Sequence, residues 1–190
     1  MSDAETSQRD KAVIEQTRRW IQEVVIGLNL CPFAARPFGN DRIHYQVVSG
    51  KNFERHLQAL AEAFQLLDHN PDIETALLIF PDNYNRFNDY LDLLDLGNAL
   101  LQDLEYAGNY QLASFHPRYL FEGSTPSDPA NFTNRSPWPM LHLLRESSID
   151  AAIKSHHNVK AIPEINISKL QELGFRTLQA KLDNITGRSE

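Results

Sequence analysis

Residues 110–146 read YQLASFHPRYLFEGSTPSDPANFTNRSPWPMLHLLRE, and the reading given to this stretch decides the fold. YQLASF, rich in aromatic and apolar residues, predicts a strand over 110–115. His116-Pro117 ends it, and a passage of about twenty residues rich in Pro, Asn, Ser and Asp follows. Loops of that length inside a compact domain are uncommon and usually functional or disordered. Tyr119, Phe121, Phe132 and Trp138 give this one the means to pack, which favours an ordered loop. From Pro139 to about His156 a helix is expected, carrying His142, Arg145 and Glu146, with Met140, Leu143 and Leu144 turned inward.

Upstream, the chain alternates strand and helix patterns. Val13, Thr17, Trp20, Ile21, Val24, Val25 and Leu28 recur at helical spacing and predict an N-terminal helix from about Thr6 to Leu28. Asn29 tolerates a C-terminal cap conformation and Pro32 stops any continuation. Ile43 to Val48 predicts a strand, and Phe53, Leu57, Leu60, Ala61, Phe64 and Leu67 mark a helix. The apolar run Thr75 to Phe80 predicts a strand buried on both faces. A helix from about Arg86 to Tyr106 follows, with Gly97 as an expected interruption. Near the C-terminus Ser168 and Gln171 resemble a capping box opening a short helix that Gly174 ends, and Phe175 to Ile185 is also compatible with a helix.

Strand, helix, strand, helix, strand, with long crossovers, predicts an α/β fold. Its sheet is expected to be small, parallel or mixed, three-stranded or slightly larger, in β-α-β-α-β order, with an N-terminal helix and C-terminal helices around it. The 190 residues suit one domain over 1–190, with about 1–5 and 187–190 frayed. A formal net charge of −7 argues against a phosphate-driven nucleic-acid partner. No apolar run approaches the ~20 residues needed to span a bilayer, so no membrane partner is expected. The lone cysteine, Cys31, precludes an intrachain disulfide, and with the polar N-terminus it points to a cytoplasmic protein.

Ligands of open parallel sheets bind beyond the carboxyl ends of the strands. That rim is expected to gather Ser49-Gly50, Asp82-Asn83 and His116-Pro117, with the long loop beside it. His116 is the first candidate for an acid/base group; the alternative is a histidine that anchors the loop through backbone carbonyls. His142 is read as a half-buried helix histidine or as a ligand. His44, His56, His69, His156 and His157 are assigned to strands or exposed helix ends. Arg135 and Arg145 suit a clamp for an anion, with Asn131 and Asn134 as uncharged donors. Against this, the asparagines can simply shape turns and Arg145 can pair with an acid such as Asp128 or Glu146 to hold the loop down.

Cys31 has three readings: a nucleophile assisted by His116, a metal ligand, or a buried thiol. Its place after a helix C-terminus disfavours a thiolate. There is no CxxC pair, glycine-rich phosphate loop or GxSxG elbow. The leading expectation is an enzyme acting on a small polar or anionic metabolite at a site formed by the 116–146 loop. Two alternatives stand beside it: a metal-binding protein using Cys31, His116 and His142, and a non-catalytic interaction module presenting Tyr119, Phe121 and Trp138.

Three stretches, RRWIQEVVIGLNLCPFAARP (18–37), YQLASFHPRYLFEG (110–123) and DPANFTNRSPWPMLHLLRESSID (128–150), resemble the domain-of-unknown-function family 1415, found widely in bacteria. The resemblance runs over nearly the whole chain and includes IPEINI (162–167). It implies that Cys31-Pro32-Phe33, Ser114 to Pro117, Asn131, Thr133 to Pro137 and His142 to Glu146 belong to the family pattern. It implies no activity.

Overall fold

A computed structural model describes residues 3–155 and 158–187 of the chain. Four strands form one mixed sheet in the order β1-β2-β4-β3: β1 (Ile43–Val47), β2 (Thr75–Ile79), β3 (Tyr110–Phe115) and β4 (Met140–Arg145). β1 and β2 are parallel, and β4 lies antiparallel between β2 and β3. The first three strands therefore point the same way, as the strand-helix alternation predicts.

β4 corrects the expectation of a helix from Pro139. MLHLLR is a strand, and the helix α5 (Glu146–Ser155) begins only after it. A six-residue run that is mostly apolar fits a central strand or a buried helical turn equally well, and leucine biases a local reading toward helix. Tertiary context decides it: Leu141 and Leu143 are buried against one layer of helices and Met140 against the other. His142 and Arg145 are strand residues in consequence.

One face of the sheet is covered by α3 (Phe53–His69) and α4 (Phe87–Asp103). Leu60, Phe64, Tyr90 and Leu93 pack there against Leu78 and Leu141. Gly97 does not interrupt α4. It is a contact point, since a Cβ there would lie 3.1 Å from methyl carbons of both Leu60 and Leu112. His56, expected at an exposed position, is fully buried in this layer.

The other face carries α1 (Asp3–Trp20), a π-helical turn (Ile21–Ile26), α6 (Ile162–Leu173) and α7 (Phe175–Thr186). Trp20, Val24, Leu170 and Leu178 meet Leu77, Ile79 and Met140 there. Pro163 lies in the first turn of α6, so Ser168 is an interior residue rather than a cap, whereas Gly174 ends the helix as expected. The π turn is written into the sequence: Gly27 N–H donates to Gln22 O at 2.9 Å, and a Cβ on Gly27 would lie 2.5 Å from Glu23 O. Asn29 then takes a left-handed conformation (φ 50°), and the short helix α2 (Ala35–Gly39) leads into β1. His156 and His157 lie outside the described residues, as do parts of both ends expected to fray.

Candidate functional site

The loops after β1, β2 and β3 do meet at one rim, and they spend their polar groups on each other. Gly50 N–H donates to Asp82 Oδ2 at 2.7 Å, and Arg9 pairs with the same carboxylate. The Arg9 guanidinium, with the Gly50 N–H, holds the Asp82 carboxyl below its usual range. His56 Nε2–H donates to Gly50 O at 3.1 Å, which leaves Nδ1 to accept the Tyr84 hydroxyl at 2.6 Å. His116 Nε2–H donates to Tyr84 O at 2.7 Å, while its Nδ1 accepts from Arg118 N–H at 2.9 Å. Burial lowers the pKa of both rings, which favours the neutral form. Tyr84, with a left-handed backbone (φ 61°), joins the two histidines.

The buried polar side chains of the long loop are bonded within it in the same way. Asn131, fully buried, accepts from Phe121 N–H and Ser124 O–H through Oδ1 and donates to Thr125 O through Nδ2. Asn134 Nδ2 donates to Ser114 O at 3.0 Å. Arg135 donates to Tyr119 O at 3.2 Å and Pro126 O at 2.7 Å, and its guanidinium carbon lies 4.8 Å from the Phe132 ring centre. Its own carbonyl accepts the Trp20 indole N–H, which ties the loop to α1. Of the loop aromatics singled out for a partner, Tyr119 and Trp138 are half-buried and Phe121 is exposed.

Arg145 stands at the opposite end of the sheet from this loop, paired in register with Tyr110 at the start of β3. Its guanidinium donates to the Tyr110 hydroxyl at 2.9 Å and to the carbonyls of Leu67, Asn70 and Ile73, where it holds the end of α3. The residues read as one anion clamp are thus divided between two ends of the fold.

His142 and Cys31 both line a cavity elsewhere, of about 370 Å³, between the sheet and its N-terminal cover. Thr75, Leu77, Ala113, Phe115, His142 and Leu144 form its floor. Ile21 and Val25 of the π turn, with Cys31 and Phe33, form the roof. Ser148, Ile149 and Ala152 close one side from α5, a helix without a buried residue. Ala34, Ala113 and Ala152 are the small side chains of its lining.

Within this apolar chamber the ring of His142 contacts the Thr75 hydroxyl through Nε2 at 2.7 Å. Thr75 in turn donates to Leu143 O. Desolvation pushes the pKa of His142 down to about 4, so the ring is neutral near pH 7. Burial also raises the Cys31 thiol, which keeps it protonated. Among the described residues no group of three His, Cys, Asp or Glu stands close enough to hold a metal ion. Cys31 and His142 share the cavity, whereas His116 is turned to the carbonyl of Tyr84. Sequence reasoning placed His142 on a helix and so missed the chamber. The usable signal was one polar residue in an otherwise apolar central run, since such a residue must be given a partner when buried.

No helix among the described residues is long and apolar enough to cross a membrane. No curated protein and no solved structure matches the chain. A family model described as "Protein of unknown function (DUF1415)" matches residues 12–180, and the chain belongs to that family.

Proposed function

We propose that the chain binds a small, largely apolar molecule in the cavity between its sheet and the π turn. The observation that carries this reading is the cavity itself: about 370 Å³, walled mostly by apolar side chains, with Gln111 and Ser148 among its polar lining and His142 in its floor. Small-molecule sites are typically ~300–1,000 Å³ clefts of this kind, mostly apolar with a few placed polar groups. Binding is better supported than acid/base catalysis. A general base works best with a pKa near the working pH, and His142 at about 4 is far below neutrality.

The reading of an enzyme that takes a small polar or anionic metabolite on the 116–146 loop has less to rest on. His116 has both ring nitrogens engaged, and Asn131 and Arg135 are turned to loop carbonyls and donors. The metal reading lacks a gathered ligand set among the described residues. Toluene is a suitable first probe of the cavity. It should shift the methyl resonances of Ile21, Val25 and Ile149 and raise the unfolding midpoint, because a ligand of the native state stabilises it. Ala113→Leu, which fills the floor, should abolish both effects. Shifts that persist unchanged in that variant would sink the proposal.

A further inference from the structure

We infer that His142 is the specificity-determining group of this cavity, and that it selects uncharged ligands bringing an O–H or N–H to its Nδ1. The inference rests on the binding reading above and adds the chemical class of the ligand. It begins with proton counting. A carbonyl only accepts, so the single hydroxyl proton of Thr75 is committed to Leu143 O. The contact of 2.7 Å between Thr75 Oγ1 and His142 Nε2 must then be an N–H donated by the ring. A neutral imidazole has one N–H, so Nδ1 is a bare acceptor.

Nothing among the described residues occupies that acceptor. His142 Nδ1 has no hydrogen-bond partner among the described residues, and the one enclosed side-chain polar atom left without a partner is Tyr45 Oη. Nδ1 is therefore not enclosed, and the space beside the ring is the cavity that His142 lines. A ligand that displaces water from that acceptor without supplying a donor leaves it unpaired, which is costly. A ligand donor relieves that cost, and a ligand without one leaves it standing.

Charge narrows the class. The guanidinium of Arg145, although its residue borders the cavity, is turned to Tyr110 and the end of α3. Glu74 is paired with Arg42 at 3.4 Å. An anion would face a lone pair with no cation to receive it. A cation would leave water for an apolar space with no free carboxylate. An alcohol, a phenol or an amide N–H meets the site without either penalty.

The test compares p-cresol with toluene, which differ by the hydroxyl, and with p-toluate, which carries a charge. Affinities are measured by calorimetry on the intact chain, and the imidazole nitrogens of His142 are followed by 15N NMR. In the free protein Nε2 should report as protonated and Nδ1 as unprotonated. p-Cresol should bind about tenfold tighter than toluene, the order of one net hydrogen bond. It should move the Nδ1 resonance, which toluene leaves in place, and p-toluate should not bind. Thr75→Val, which removes the acceptor that fixes the ring tautomer, should shrink the p-cresol preference. Because the nitrogen shifts are read on the unmodified chain, the outcome does not depend on any variant folding.

Equal affinity for p-cresol and toluene would overturn the selection by His142 and leave the cavity reading intact. Binding of neither would overturn both. A p-cresol preference without movement of Nδ1, or p-toluate binding as tightly as p-cresol, would remove His142 from the role assigned to it.

Discussion

The rim beyond β1, β2 and β3 and the chamber beneath the π turn differ in one respect that matters for function. The rim is crowded with polar side chains, and those that were candidates for a site are engaged inside the chain. The chamber is nearly apolar, and its histidine keeps one nitrogen unspent. His116 and His142 make the contrast directly. Both are neutral imidazoles, one bonded at both nitrogens and the other at one. Polar density along a sequence therefore measures how much internal bonding a loop requires. Binding capacity lies in what is left over.

The largest test of that contrast is Arg135→Ala. It leaves the carbonyls of Tyr119 and Pro126 without their donor and removes the cation from the Phe132 ring. Urea unfolding should show a loss of about 4 kcal/mol, in the range of a broken buried network. A loss under about 1 kcal/mol would mean that the loop is not a structural plug and that its polar groups are available.

Acid should act through the chamber. His142 titrates at about 4 in the folded chain against an ordinary 6.5, so between those values the unfolded state holds more protons. Stability from this group is complete above pH 6.5 and declines as pH falls toward 4, by up to about 3 kcal/mol. His142→Phe should flatten that limb of the stability profile. An unchanged profile would place the acid sensitivity elsewhere, in His116 or His56, whose pKa values are also lowered by burial.

His116→Ala should cost less, about 2 kcal/mol, for one backbone acceptor and one backbone donor left unpaired. Calorimetric affinity for p-cresol should stay at the wild-type value. A variant that keeps its stability but loses binding would transfer the site to the rim and reverse the comparison.

Much of the architecture was legible from residue patterns. TALLIF, bounded by polar residues, announced a doubly buried strand, and the spacing of Leu57, Leu60, Phe64 and Leu67 announced α3. The shared direction of three strands followed from the long crossovers, and the rim they form was expected. MLHLLR was not legible, because a six-residue run with four apolar side chains carries no decisive period and its neighbours in the sheet lie more than twenty residues away in sequence. That misreading hid the chamber. It also joined Arg145 to Arg135 as one clamp, although a strand of six residues separates the two ends it connects. The self-pairing of the loop was hidden for another reason: Asn131 finds Phe121, and Asn134 finds Ser114, only once the chain is folded.

The place of β4 has a consequence for how the chain is made. It is the last strand in sequence, yet it separates β2 from β3 and pairs with both. During synthesis the first 139 residues carry β1, β2 and β3 without the strand that joins them, so one edge of β2 and the inner edge of β3 lack the partner they have in the finished sheet. Unpaired strand edges are templates for association with other chains. Completion of this sheet, and protection from that hazard on the ribosome, waits for the emergence of Met140 to Arg145.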